Sequence, residues 1–300
     1  MATATRVDTG SRFLGISRER RGYLLGRALL YVVVGFASLL FMIPFVWATL
    51  SSLKTIPEIY TYPPIWFPKV PQWRNYAQIF RDSEMEYWLV NSVYVSGMTV
   101  LATVVSSALT GYGFARFRYP GREILFLIVL SPTMLPSWVT TIPTFIMMSK
   151  LRWLDTYKPL IVPPWFGGGA FNIFLMRQFF RTIPMDLDEA ARIDGAGPWR
   201  ILWNVLFPLA GPAMATVGIL TFIGSWNDFL GPLIYLSTER KYTVAVGIRW
   251  FQTFQGAALS RPREHLLMGA SMLIAAPPLV LFFLAQKYFV RGIVMSGIKG

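Results

Sequence analysis

Six apolar stretches, each long enough to cross a bilayer, constrain this chain more than any other feature. At 1.5 Å of rise per residue, about 20 apolar residues span the hydrocarbon as a helix. Such stretches run from Ala28 to Leu50, Trp88 to Gly113, Ile124 to Met147, Leu160 to Phe180, Pro208 to Ile234 and Leu266 to Phe289. The expected fold is therefore all-α, a polytopic membrane protein with six transmembrane helices. Charge agrees. Only 14% of the 300 residues are charged, against about 25% in a soluble domain, and those charges gather between the apolar runs, where the bilayer does not penalise them.

The net charge of +13 raises nucleic acid as a partner, but no basic face with base-stacking aromatics accompanies it. Many cations sit at the ends of apolar runs, where snorkelling and contact with lipid headgroups account for them. The absence of cysteine excludes disulfides, thiol chemistry and Cys-based metal sites. His265, beside Glu264, is the sole histidine and has no cluster that would make it a ligand. Residues 1–27 form a basic tail before the first apolar run. That run is too long for a signal-peptide core and no small-residue cleavage site follows it, so it reads as a retained helix.

Lys/Arg bias sets the expected orientation. The tail carries Arg6, Arg12, Arg18, Arg20, Arg21 and Arg27, and the second-to-third connection carries Arg116, Arg118 and Arg122. Arg177, Arg181, Arg192 and Arg200 lie around the fourth-to-fifth connection. All of these fall on one side, the cytoplasm, together with both termini. The chain then divides into the tail at 1–27, a six-helix body at 28–289 and a second tail at 290–300. Outer loops fall at 51–87, with a short helix expected near Asn75 to Phe80, and at 235–265. The second of these carries Trp250, Phe251, Gln252, Phe254 and Gln255, where aromatics serve either the headgroup layer or a protein contact.

Three features inside the spans bear on mechanism. Ser92, Ser96, Thr99, Thr103, Ser106 and Thr110 fall three or four residues apart, a hydroxyl stripe on one face of the second span. Such a stripe permits close helix packing or lines a hydrated path, with Ser96, Thr99 and Thr103 the candidates for the path. Pro132, Pro136 and Pro143 each kink the third span, and broken helices are common in transporters. Asp228, beside Asn227, is the acid within the predicted spans. Both are candidates for the outer part of a path, with an interfacial role for the carboxylate as the alternative.

The most specific segment lies inside the cell, from Glu189 to Pro208: EAARIDGAGPWRILWNVLFP. Asp186, three residues before Glu189, reads as an acidic capping box opening a short helix. Ala190 and Ala191 give that helix a flat face, Gly195 ends it, and Gly197-Pro198 starts another. The motif Glu189-Ala190-Ala191, then Gly195, then Val205-Leu206-Phe207-Pro208 resembles the EAA loop of ATP-binding-cassette (ABC) importer permeases. FLMRQFFRTIPMDLDEAARIDGAG, SWNDFLGPLIYL and KYFVRGIVMSGIKG further resemble the maltose-type sugar permeases, over about Arg27 to Gly300.

The resemblance implies a type I ABC importer permease, in a bacterial or archaeal plasma membrane, carrying a sugar or polyol. Its partners would be a homologous permease subunit, two ATPase subunits and an external substrate-binding protein or lipoprotein. It implies that the loop at about 184–208 docks on the ATPase through Asp186, Glu189, Ala190, Ala191, Asp194 and Gly195. It also implies that the outer loop with Trp250, Phe251, Gln252, Phe254 and Gln255 touches the binding protein. No G-x-x-x-x-G-K-[ST] phosphate loop occurs, so ATP and Mg are expected on the partner ATPases, with no cofactor on this chain. An ion-driven secondary transporter is the alternative, disfavoured by the scarcity of intramembrane acids. A membrane enzyme lacks any convergent catalytic set.

Overall fold

A computed structural model of the chain describes residues 18–249 and 263–297, with side chains over 23–136, 138–249 and 263–286. Among the described residues there is no strand. Four helices are long and apolar enough to cross a membrane, and two bent helix pairs raise the number to six. Trp250, Phe251, Gln252, Phe254 and Gln255 lie outside the described residues.

Span one is a single helix, Arg18–Ser52, with Pro44 inside it. Leu25, Phe36, Leu39 and Phe41 on it are among many large apolar side chains left exposed, a surface fit only for lipid or another apolar helix. It packs along span six, Glu264–Gly297. Just beyond its outer end Lys54 is fully buried. Its ammonium donates to Ile65 O at 2.6 Å and lies over the Trp47 ring at 4.1 Å. Burial pushes the Lys54 pKa down, against the pull of Glu58. Asn75 donates to the carbonyls of Ser52 and Lys54, fastening the expected short helix, Arg74–Asp82, onto the end of span one.

Span two, Met85–Arg116, is the hub, packing most extensively against spans four and five. Its 32 residues make a rod about 48 Å long. Small residues allow the close approach. A Cβ added at Gly111 would stand 2.8 Å from Met176 Cβ and 2.9 Å from Arg177 N, so spans two and four touch backbone to backbone there.

The proline-rich spans refine the expectations. Span three breaks once, between Arg122–Leu130 and Ser137–Lys150, through a 3-10 turn at Ser131–Met134. Pro132 lies within that turn and Pro136 caps the second helix, whereas Pro143 is carried inside the second helix and does not end it. Span four begins with short turns at Lys158–Ile161 and Pro163–Trp165, then runs as a helix over Ala170–Thr182. Gly167, Gly168 and Gly169 between them all have positive φ. At Gly168 a side chain is also excluded by space, since its Cβ would meet Thr103 O at 2.6 Å.

Span five is not one run from Pro208 to Ile234. It is a helix over Gly211–Trp226, a break at Asn227–Phe229 and a shorter helix over Leu230–Tyr235. Pro208 lies in the segment Pro198–Leu209, which meets Gly211–Trp226 at a 76° bend, the two together counting as one broken span.

Three buried clusters result among the described residues, the smallest joining Phe114, Phe126 and Ile173. The loop-side cluster joins Ala108 and Tyr112 of span two, Met176 and Phe180 of span four, and Ile201, Leu202, Leu206, Ala213 and Val217. The cluster at the opposite end joins Trp88, Trp226, Val244, Leu266 and Ala270.

Candidate functional site

The loop between spans four and five folds as the spacing predicts, with one correction. A short helix covers Asp186–Ile193. Gly195 follows with φ +79°, a conformation that costs an L-residue with a side chain about 1–2 kcal/mol. Its N–H donates to Arg192 O at 3.0 Å, and Ala196 N–H donates to Ala191 O at 2.8 Å. These two bonds form the Schellman closure, which satisfies two of the helix's last carbonyls. Gly197 then caps a second helix that opens at Pro198. A π-helical turn, Leu202–Leu206, carries the chain into the loop-side cluster.

The correction concerns the helix start. The capping box of Asp186 with Glu189 does not form. Met185 occupies the cap position with helical φ and ψ, so its carbonyl takes the amides of Asp188 and Glu189 directly, at 2.9 and 3.1 Å. Asp186, Asp188 and Glu189 in the first turn still suit the positive end of the helix dipole.

The helix has two faces. Asp186, Leu187, Glu189, Ala190, Ile193 and Asp194 are exposed, and Ala191 is half-buried against the loop-side cluster. Ile193 is 86% exposed and Trp199 on the next helix 67%, an unusual outlay of apolar surface beside three acids. Asp188, which spacing did not single out, points the other way and is buried. Its Oδ2 lies 3.3 Å from Arg116 Nε at the end of span two. Arg116 also donates to Ile183 O at 3.0 Å and contacts Met185 Sδ. Burial pushes the Asp188 pKa up, with Arg116 and Arg192 opposing. One helical turn earlier, Tyr112 OH donates to Pro198 O at 3.1 Å.

The candidates within the spans divide. Ser106 donates to Ala102 O at 2.6 Å and lies 2.7 Å from Pro164 O, across to span four. Ser92 Oγ accepts the Val244 amide at 2.8 Å. Ser96 and Thr103 are buried, and half-buried Thr99 reaches Leu160 O at 3.4 Å. Most of the hydroxyl stripe thus serves packing against spans four and five. Asn227 is exposed and donates to Ile223 O, while Asp228 is half-buried and accepts the Gly231 amide at 3.2 Å. The carboxylate caps the short helix that resumes span five after its break.

Two further ionic groups were illegible from spacing. Arg177 of span four is buried, donates to Glu123 at 2.6 Å and stacks over Phe126 at 3.9 Å. At the opposite end of the bundle from the loop helix, Asp155 accepts the amides of Ser237 and Thr238 and pairs with Lys241 at 2.7 Å. These bonds, Lys241 first, hold the Asp155 carboxyl well below the usual carboxylate range.

A helical membrane bundle with broken spans and a two-faced helix between spans four and five has the build of a permease. Residues 104–295 match the family described as "Binding-protein-dependent transport system inner membrane component". The chain is 30% identical over 287 residues to the probable ABC transporter permease protein YurM of Bacillus subtilis, covering 94% of this chain and 92% of that one. It is 29% identical over 282 residues to the trehalose/maltose transport system permease protein MalG of Thermococcus litoralis, covering 93% and 99%. Among solved structures, a bacterial ABC transporter involved in the import of the acidic polysaccharide alginate superposes with a TM-score of 0.78 at 25% identity, covering 92% and 99%. The chain belongs to this family of inner-membrane permease components and is a multi-pass permease subunit of an ABC importer.

Proposed function

We propose that this permease carries a sugar or related polyol, with no catalysis of its own. The relative named for trehalose and maltose and the structure named for alginate both point to hydroxyl-rich solutes. The assembly pairs this chain with a homologous permease, two ATPase subunits that hold ATP and Mg, and an external binding protein. No cofactor binds this chain. Both tails, 1–27 and 290–300, face the cytoplasm.

The observation that carries the coupling role is the two-faced helix Asp186–Ile193. Its exposed acids, its small Ala190 and the apolar Ile193 and Trp199 form a knob suited to a groove on the ATPase. Glu189 and Asp194 supply charge, Ala190 and Ala191 a flat contact, and Gly195 the reversal. A groove that closes on ATP moves the knob, and the knob moves the spans to which it is joined. The path opens beside Asn227 and Asp228, while the outer loop with Trp250, Phe251, Gln252, Phe254 and Gln255 meets the binding protein.

The test is to purify the complex from its native membrane, identify the associated chains, and reconstitute it in liposomes with the binding protein. Saturable, ATP-dependent uptake of an oligosaccharide or polyol is expected. Uptake that follows an ion gradient without ATP, or nucleotide binding by this subunit alone, refutes the reading.

A further inference from the structure

The knob is joined to spans four and five by the chain itself. Span two is joined to it only by side chains, and those side chains grip both of its flanks. Tyr112 and Arg116 sit one helical turn apart on one face of span two. Tyr112 donates to Pro198 O, after the knob, at 3.1 Å. Arg116 donates to Ile183 O, before it, at 3.0 Å, contacts Met185 Sδ, and pairs with Asp188 on the knob itself. Both members of the pair are nearly without solvent, at 3% and 1% side-chain exposure.

The pair is poorly explained as a stabiliser. Its 3.3 Å Nε–Oδ2 contact leaves Arg116 Nε and Asp188 Oδ1 outside any hydrogen bond. Buried and under-satisfied ions of this kind are commonly neutral or unfavourable against apolar residues of the same size. What the grip does provide is direction. It ties the knob to the helix that packs most extensively on both spans four and five among the described residues.

We propose that Arg116 and Asp188, with Tyr112 in support, are the positioning residues that make span two move with the ATPase-docking helix. A stroke delivered at the knob then reaches the span that packs on both of its neighbours. The inference rests on the coupling role given to Asp186–Ile193 and adds a third, non-covalent linkage to it.

The experiment uses the whole complex in liposomes and reads two rates together, ATP hydrolysis and solute uptake. Three variants are made. Arg116→Lys keeps the charge but loses the guanidinium fork. Asp188→Asn removes the charge. Arg116→Met with Asp188→Leu removes both ions, so that no lone buried charge threatens folding. The expected result is assembly with the ATPase in the double variant, hydrolysis within about twofold of wild type, and uptake per ATP lowered at least tenfold. Arg116→Lys should recover part of that ratio.

An unchanged ratio, or equal falls in uptake and hydrolysis, overturns the proposal. So does failure of every variant to assemble, which would make the pair a folding staple. Gly195→Leu is run alongside. If it too leaves uptake per ATP unchanged, the docking role of the loop has failed. If it lowers the ratio while the Arg116 and Asp188 variants do not, only the span-two linkage has.

Discussion

Replacing Gly111 by alanine adds one methyl group at the tightest point between spans two and four. The new Cβ would stand 2.8 Å from Met176 Cβ and 2.9 Å from Arg177 N, where carbon atoms settle at about 3.5–4.0 Å. Those neighbours are backbone atoms and a Cβ, so no rotamer change relieves the clash and the helices must part by roughly 1 Å. Overpacking of this kind costs about 1–3 kcal/mol. Against it, alanine gains about 0.5–1 kcal/mol of helix propensity over glycine.

Gly113→Ala collects the same gain two residues along the same helix, with nothing within 4 Å of its Cβ. The propensity term cancels between the two variants, leaving a predicted difference of about 1–3 kcal/mol. Thermal unfolding of the purified complex, followed by loss of monodisperse protein, measures the order. Gly111→Ala should melt several degrees below Gly113→Ala. Equal midpoints would refute the backbone-to-backbone contact.

Gly195 is costly to replace for the opposite reason, since its Cβ meets open space and only the left-handed φ resists. Gly195→Leu should therefore insert and fold but lose uptake and ATPase retention on copurification, while Gly195→Asn, which tolerates that conformation, should keep most of both. Asp155→Asn loses the ionic clasp to Lys241 between two outer loops. Its folded pKa lies below the unfolded value of about 3.9, so the clasp contributes fully above that value and is lost as pH falls through the folded pKa. The variant should then be less stable than wild type at pH 7, with the gap closing only well below about pH 4. A gap that does not narrow in strong acid would deny the clasp. Finally, single cysteines placed at Arg18 and Gly300 of this Cys-free chain should label only from the cytoplasmic side, and at Trp66 only from outside.

The bundle was legible because apolar length and charge placement act locally. The bilayer filters each residue by its own transfer energy, so spans one, two and six stand in the sequence nearly as they stand in space. The loop helix was legible for a similar reason, since Gly195 and the Gly197-Pro198 step are turn chemistry confined to a few residues. What could not be read was partnership at a distance. Arg116 and Asp188 are 72 positions apart in sequence, and nothing in either neighbourhood says that one acid of Asp186-Leu187-Asp188-Glu189 turns inward. Helix periodicity contains a partial signal, because Asp188 lies three residues before Ala191 and so shares the face that packs on the loop-side cluster. The break at Asn227–Phe229 was missed for a different reason. Its polar pair, Asn227-Asp228, is only two residues long between strongly apolar neighbours, so the run as a whole reads as one span.

Span two has a role that neither its length nor its hydroxyl stripe announces. At its outer end Trp88 donates to Glu239 O at 2.9 Å, Asn91 to Arg240 O and Tyr242 O, and Ser92 accepts from Val244. Each of these bonds fastens the segment that leads into the second outer loop. At its inner end Tyr112 and Arg116 fasten both flanks of the loop helix. Between Trp88 and Arg116 the helix is continuous, without proline and without a break, whereas spans three, four and five are all interrupted. A broken helix dissipates a displacement in its hinge, but an unbroken one, held by packing along its length, carries it to the far end. The 239–244 segment and the helix Asp186–Ile193 are thus fastened to opposite ends of one rod. The interrupted spans around it carry the breaks, at Ser131–Met134, Gly167–Gly169 and Asn227–Phe229.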